Sequence, residues 1–397
     1  MKYTIVGISD RLQDEPFVAA IMQAIHDADA YCGGKRHYEL VNRLLKPDTP
    51  WRDIKVPIRE VFESLSCYRQ VVIFASGDPF FYGIGQTIQR LQPEAEITVY
   101  PTFNSLQQLA HRLLLPYQEM RAVSLTGRPW TMFDAALVRG EKLIGVLTDH
   151  RKTPRSIAQH MMDYGYNNYL MYVGETMGNP MSERVTTCTI EQAAERSEEF
   201  ATPNCLFLQR KSLRKRLFGI PESEFALLNG RSKMITKMPI RLLTISMLDL
   251  CGRKSFWDIG FCTGSVSVEV RMQYPEIEIN SFEQRPECLD IIQENCKRHG
   301  TPGIQTHIGD FLEMNLQDFS APDAVFIGGH GGRLIEMVDN IQKVLEPGGV
   351  IVFNAVSRES QETFAQAIAR TGLTMQNTTH IVIDEFNPIK IMKAVKE

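Results

Sequence analysis

The chain of 397 residues is 43% hydrophobic and 23% charged with a formal net charge of −4, the balance of an ordinary globular protein too long for one core, so two domains are expected. That charge excludes general affinity for nucleic acid or an anionic membrane surface and leaves any anionic substrate to be met locally. The amino-terminal apolar run is too short for a signal peptide, no window approaches a membrane span, and the eight cysteines contain no CxxC pair, so a cytoplasmic enzyme with reduced thiols and no metal site is expected.

The first half opens with a buried strand over 3–8 and a helix over 16–28, then returns to an apolar strand over 70–75. Further strands are predicted over 97–100, 121–125, 143–147, 169–173 and 205–209, with helices over 105–115 and 154–164 between them. This alternation is α/β, and the short loops between the last strands suit antiparallel pairing. A dense basic stretch, Gln209-Arg-Lys-Ser-Leu-Arg-Lys-Arg216, then runs into Gly219 and Pro221. It reads as a solvated linker or the lip of an anionic-substrate path, and it sets the expected division at 1–212 and 213–397.

The second half is more regular. Strands begin near Phe256, Ile277, Ile304, Ala324 and Val350, alternating with helices over 266–273, 286–299, 333–345 and 359–371, the pattern of a doubly wound sheet. Extended stretches over 373–384 and 389–395, joined at Asn387-Pro388, suit a terminal hairpin.

The segment Phe256-Trp-Asp-Ile-Gly-Phe-Cys-Thr-Gly-Ser265 reads as strand, glycine turn and helix start, and Ile279-Asn-Ser-Phe-Glu283 as a second strand ending in an acid. Gly260 and Gly264 permit a sharp turn and close approach to a ligand, and Glu283 is placed to accept hydrogen bonds from a ribose diol. Cys262 stands at the middle glycine position of a dinucleotide fingerprint. An adenosine-containing methyl donor therefore fits better than NAD. Asp310 and the loop Phe326-Ile-Gly-Gly-His-Gly-Gly332 fall at the next strand ends, with His330 either idle or a proton carrier or carboxylate partner. In the first half, Ser76-Gly-Asp-Pro-Phe-Phe-Tyr-Gly-Ile-Gly85, Pro101-Thr-Phe-Asn-Ser105, Ser124-Leu-Thr-Gly-Arg128 and Leu147-Thr-Asp149 put turn formers and polar groups at strand ends. Asn104 or Ser105 serves there as a helix cap or as a carboxylate partner.

Those four segments together resemble the tetrapyrrole (corrin and porphyrin) methylase family. The second half, through Ile235-Thr-Lys-Met-Pro-Ile-Arg241, Asp258–Ser265, Asp323-Ala-Val-Phe-Ile-Gly-Gly329 and Pro347-Gly-Gly349 to Val356, resembles the decarboxylating precorrin methyltransferase family, its usual fusion partner. The resemblance implies a two-lobed tetrapyrrole methylase fold followed by a Rossmann-like S-adenosylmethionine-dependent methyltransferase fold. It also implies methylation of a precorrin ring at C5 and C15 with loss of the C12 acetate carboxylate, a step of cobalamin biosynthesis, by a homo-oligomer. Carried over by motif position, Ser76, Gly77, Asp78, Phe81, Asn104, Ser105 and Val173 hold the first S-adenosylmethionine, and Thr236, Gly260, Phe261, Cys262, Thr263, Gly264, Glu283 and Asp310 the second. The chain departs from the family at Val6-Gly-Ile-Ser-Asp-Arg11, where Asp10 stands for a usual proline, and at Thr126, where histidine is frequent.

Methyl transfer to an electron-rich carbon asks mainly for alignment, so no catalytic triad is expected. Loss of CO2 needs the macrocycle as electron sink and a poorly solvated carboxylate. Arg231, Lys233, Lys237, Arg241 and Arg333, with His330, are the candidates for gathering substrate carboxylates. The competing readings are a cobalt-containing ring as substrate, an NAD-linked oxidoreductase, and a non-catalytic corrinoid-binding module.

Overall fold

The structure is a computed structural model and describes residues 1–10, 17–231, 234–383 and 388–397. The expectations at Arg11, Pro16, Lys233 and the 384–387 part of the terminal hairpin lie outside the described residues. The chain forms two compact units, one of Met1–Arg128, Lys142–Ala158 and Leu170–Gln209, the other of Pro129–Glu141, Gln159–Tyr169 and Arg210–Glu397.

In the amino-terminal part the elements run β1 (Lys2–Ile8), α1 (Ala19–Asp27), β2 (Ala30–Gly33), α2 (Lys35–Val41), β3 (Trp51–Asp53), α3 (Ile58–Leu65), β4 (Gln70–Ser76), α4 (Ile84–Leu91), β5 (Glu96–Tyr100), α5 (Ser105–Leu113), β6 (Arg121–Ser124), α6 (Thr131–Arg139), β7 (Leu143–Leu147), α7 (Pro154–Asp163), β8 (Tyr169–Glu175), β9 (Arg184–Thr189), α8 (Ile190–Glu195) and β10 (Asn204–Arg210). β1 and β4 are nearly unbroken apolar runs because both faces of a central parallel strand are covered. The first sheet has the order β3-β2-β4-β1-β5, all parallel, and its register sets Ile8 beside Ser76 and Val6 beside both Phe74 and Tyr100. The second sheet is β6-β7-β10-β8-β9, with antiparallel β7–β10 and β8–β9 pairs; a short loop joins β8 to β9, whereas β7 and β10 are brought together from distant parts of the chain.

The carboxy-terminal part continues with α9 (Met238–Leu248), β11 (Ser255–Ile259), α10 (Ser265–Gln273), β12 (Glu278–Glu283), α11 (Cys288–His299), β13 (Ile304–Ile308), β14 (Ala324–Ile327), α12 (Leu334–Val344), β15 (Val350–Ala355), α13 (Arg358–Ala369), β16 (Leu373–Ile381) and β17 (Ile389–Lys396). Its seven-stranded sheet has the order β13-β12-β11-β14-β15-β17-β16, parallel except that β17 is antiparallel to both β15 and β16. Strand order reverses between β11 and β14, which opens a crevice at their carboxyl ends. One core lies around Trp257, Phe282, Phe353 and Phe364, and another around Phe256, Val270 and Phe326.

The basic stretch at the end of β10 is only in part the expected solvated linker: Lys211 and Lys215 are exposed, but its three arginines are engaged. Arg210 donates to the Gly140 carbonyl at the end of α6. Arg214 donates to Tyr164 O (2.8 Å) and Gly165 O (3.0 Å) after α7 and to Lys297 O (3.2 Å) and Arg298 O (2.9 Å) at the end of α11. Arg216 donates to Met272 O at the end of α10. Helix carboxyl ends present unpaired carbonyls and negative partial charge, so three arginines here close four helix ends.

All eight cysteines are free; Cys67 and Cys251 are exposed, Cys188 is half-buried and the other five are buried. Among the described residues no helix is long and apolar enough to cross a membrane.

Candidate active site

At the β11–β14 crevice the chain turns at Gly260, whose φ is 76°. A Cβ there would stand 2.5 Å from Gly329 N and 2.6 Å from Gly329 Cα, so only glycine lets the two strand ends close on each other. The crossing borders a cavity of about 220 Å3 lined by Gly260, Glu283, Arg285, Asp310, His330 and Arg333, among others. Gly264 begins α10 in the left-handed region, where a Cβ would meet Ile292 at 2.4 Å. Phe261, Cys262 and Thr263 between them are buried. Their side chains face the interior, so this part of the expected donor site offers backbone rather than side chains.

Glu283, at the end of β12, is 5% exposed and heavily bonded. Its Oε2 accepts from Cys262 N (3.0 Å) and Arg285 Nη2 (2.8 Å), and its Oε1 from Gln284 N (2.9 Å), Arg285 N (3.1 Å) and Arg285 Nε (3.0 Å). Burial works to raise this carboxyl, but the arginine and the backbone donors outweigh it and hold it below the usual carboxylate range. Asp310 accepts from Leu312 N (3.0 Å) and pairs with Arg333, whose hydrogen bond also lowers its carboxyl. His330 Nδ1 accepts from Gly332 N at 3.2 Å. A backbone N–H can only donate, so the neutral ring carries its proton on Nε2, and desolvation lowers its pKa further.

Behind this rim Asp258, at the β11 end, is fully buried. Ser267 Oγ donates to its Oδ2 at 2.5 Å while its Oδ1 has no hydrogen-bond partner among the described residues, and burial pushes the carboxyl up to about 7 against the Ser267 bonds. Thr236 and Lys237 precede α9, with Lys237 as its N-cap. Arg241 is fully buried: its Nε donates to Glu269 Oε2 (3.2 Å), its Nη1 to Thr236 O (2.8 Å) and its Nη2 to Ile220 O. Glu269 in turn accepts from Gly219 N (2.9 Å) and Ile220 N (3.1 Å). The expectation that Arg241 gathers substrate carboxylates is therefore corrected: its guanidinium ties the segment before α9 to α10 and is closed off from the surface. Arg231 is exposed beside Met234.

The first rim is built differently. Gly77 N donates to Ile8 O (3.1 Å) and Thr102 N to Gly77 O (3.3 Å), which brings the ends of β1, β4 and β5 together. A Cβ on Gly7 would stand 2.0 Å from Gly77 O, and one on Gly77 2.8 Å from Asn104 Cα. Asn104 caps α5, with its Oδ1 accepting from Gln107 N (2.9 Å) and its N donating to Gln107 Oε1 (3.0 Å). Asp78 Oδ1 accepts from Phe80 N at 2.8 Å, closing the turn. Ser76 is exposed at the rim; Phe81 packs against the core around Leu106 and Phe207. Ser105 opens α5 directly after the Asn104 cap, and one expected residue is enclosed: Val173 lies sealed within β8, paired in register with Thr186.

At the departures from the family pattern, Asp10 pairs with Arg36 and accepts from Asn179 Nδ2 at 3.4 Å, while Thr126 Oγ1 donates to Thr148 O at 3.0 Å. Two residues at these rims were not singled out from the sequence. His37 accepts from Gly34 N on Nδ1 (3.1 Å), which leaves Nε2–H to donate to Ser76 Oγ (2.9 Å). Arg285 is the other. The available signal was its position two residues past a strand-end acid; His37 gives none, being 39 residues from its partner.

Comparison with known proteins agrees with both halves. Residues 19–194 match the tetrapyrrole (corrin/porphyrin) methylases and residues 229–396 the precorrin methyltransferase domain. The chain is 29% identical over 392 residues to a precorrin-6Y C(5,15)-methyltransferase [decarboxylating] of Sinorhizobium sp, covering 93% of this chain and 88% of that protein. It is 29% identical over 162 residues to the cobalt-precorrin-6B C(15)-methyltransferase (decarboxylating) of Salmonella typhimurium, covering 41% of this chain and 83% of that one. A solved structure titled precorrin-6y C5,15-methyltransferase, from Geobacter metallireducens, is 31% identical, with 46% of this chain covering all of that chain at a TM-score of 0.43. With a methylase family at each end, in the order its motifs require, the chain belongs to the decarboxylating precorrin-6Y C5,15-methyltransferases.

Proposed function

We propose that this enzyme methylates precorrin-6B at C5 and C15 and removes the carboxylate of the C12 acetate arm, giving precorrin-8X in cobalamin biosynthesis. The observation that carries the reading is the pairing on one chain of a tetrapyrrole methylase region with a precorrin methyltransferase region. S-adenosylmethionine supplies a methyl group on a sulfonium at each site. Residues 1–212 serve C5, residues 213–397 serve C15 and decarboxylation, and the enzyme works as a cytoplasmic homo-oligomer.

At the second rim the residues fit such a donor in kind: a glycine crossing that admits close approach, two strand-end carboxylates, and a cavity beside them. Glu283 accepts the ribose hydroxyls, Asp310 faces the adenine end, and the Gly260–Gly264 turn offers backbone donors. Thr236 and Lys237 border the substrate side, and Arg333 draws a ring carboxylate toward the cavity. His330, neutral and protonated on Nε2, donates a hydrogen bond to the substrate without carrying charge. The chain's part in methyl transfer is alignment. Its part in decarboxylation is to hold one acetate where water is scarce, so that the ring can accept the electron pair. At the first rim Ser76, Gly77, Asp78, Phe81 and Asn104 border the donor.

The test is incubation of the full chain with S-adenosylmethionine and precorrin-6B, or its cobalt form, followed by mass spectrometry. Two added methyl groups and one lost CO2 are expected. An unchanged ring mass with bound corrinoid would leave only a binding module. A product from the cobalt form alone would assign the metallated substrate.

A further inference from the structure

We propose that Arg285 is a transferable carboxylate clamp, which holds Glu283 while the donor is absent and turns to a ring carboxylate of the substrate once a ribose takes Glu283. The inference rests on the reading that Glu283 binds the donor's ribose.

Glu283 receives five hydrogen bonds, three from the backbone N–H groups of Cys262, Gln284 and Arg285 and two from the Arg285 guanidinium. A carboxylate has about four lone-pair directions. No direction is left for two ribose hydroxyls while all five donors stay. The backbone donors belong to the turn that shapes the strand end and are fixed with it. The guanidinium sits on a side chain 35% exposed, against 5% for the acid, so it is the donor with room to leave. A ribose can therefore bind Glu283 in this geometry only by displacing Arg285.

A displaced guanidinium needs another anion, because a half-buried charge without a partner is unfavourable. Arg285 lines the same cavity as His330 and Arg333, the two residues assigned above to the substrate's polar groups. The planar guanidinium fork suits a bidentate carboxylate better than an ammonium would. Binding of donor and ring is then mutually reinforcing, each raising the affinity of the other by one common factor.

The experiment is calorimetric titration of the full chain with S-adenosylhomocysteine, with and without uroporphyrin III as a polycarboxylate ring probe, for the wild type and for Arg285→Gln and Glu283→Gln. Glu283→Gln identifies the heat belonging to this site. Arg285→Gln is expected to bind S-adenosylhomocysteine about two- to fivefold more tightly, the range for release of a partly exposed ion pair, and to lose the enhancement that the porphyrin gives the wild type. Unchanged or weaker binding in Arg285→Gln, or an enhancement that survives it, overturns the clamp. If Glu283→Gln leaves every affinity unchanged, the placement of the ribose itself is wrong. Thermal unfolding of Arg285→Gln checks the fold, which keeps the three backbone donors to Glu283.

Discussion

The two sheet rims hold their ligand-facing groups by different means. At the first, backbone closes on backbone around Gly7, Gly77 and Asn104, and Ser76 is held by a neutral imidazole. At the second, the Gly260–Gly329 backbone crossing is joined by ion pairs: Arg241 with Glu269 in full burial behind the rim, Arg285 with Glu283, and Arg333 with Asp310. The difference teaches how each should fail. Backbone contacts fail when an atom is inserted, and ion pairs fail when a charge is left alone, so the second rim is open to both kinds of damage and the first mainly to insertion.

The largest expected effect is at the buried pair. Arg241→Ala leaves Glu269 charged and enclosed, and the loss should be about 3–5 kcal/mol, read by chemical denaturation. C15 methylation and decarboxylation should vanish while C5 methylation persists below the lowered transition. An Arg241→Ala protein that keeps full stability would mean that the pair does not hold the second rim. Next come the glycines. Gly260→Ala combines a left-handed side chain, about 1–2 kcal/mol, with a clash against Gly329 backbone, so about 2–4 kcal/mol is expected together with loss of the C15 product. Gly7→Ala meets Gly77 O without the left-handed term and should cost about 1–3 kcal/mol, removing C5 methylation instead. If either substitution removed both products, the two rims would not be separable.

Much of the second rim was legible because its signals are local. Gly260, Gly264 and Glu283 lie on one strand-turn-helix-strand unit, and the terminal hairpin follows from alternation and a turn. What escaped depends on distance in sequence. Arg241 looks like a surface charge at a helix start until Glu269, 28 residues on, supplies its partner. The hint was two charges inside Val266-Ser-Val-Glu-Val-Arg-Met272, a helix otherwise buried all round. Strands β2 and β3, of four and three residues, are too short for any period to show. The basic stretch misled for a related reason. Its targets are backbone carbonyls at helix ends, and carbonyls leave no mark in a sequence.

A smaller effect separates the acids by protonation. Asp258 keeps its proton up to about 7 in the folded chain but releases it near 3.8 when unfolded. The unfolded state therefore sheds the proton first, and stability should fall as pH rises between those values and level off above them. His330 and His37, both lowered in the folded chain, work in the opposite sense: below the ordinary histidine range the unfolded state gains protons first, so stability falls with acid. Asp258→Asn should remove the decline toward neutral pH and leave the acid-side loss. Denaturation midpoints measured from pH 4 to 9 would show this, and an unchanged slope in the variant would deny Asp258 the assignment.

The smallest effect lies at the first rim and bears directly on its neutrality. His37 faces Arg36 and Asp10 from its own side and the Phe74 carbonyl from β4; desolvation and Arg36 lower its pKa more than Asp10 and the carbonyl raise it. With Gly34 N fixing the tautomer, Nε2–H occupies a lone pair of Ser76 Oγ and turns the serine hydrogen away from the histidine. Removing that donor costs roughly one neutral hydrogen bond, about 1 kcal/mol, or about fivefold in donor affinity at this rim alone. His37→Phe should thus raise the donor KM for C5 methylation with little change in kcat, and leave C15 methylation as it was. Because the imidazole is neutral throughout, the wild-type C5 rate should be flat from pH 7 to 9. His37→Gln, whose amide can still donate to Ser76, should recover most of the loss. A wild-type rate that rose or fell through this range with a histidine-like midpoint, and flattened in His37→Gln, would show a charged imidazole and erase the distinction between the two rims.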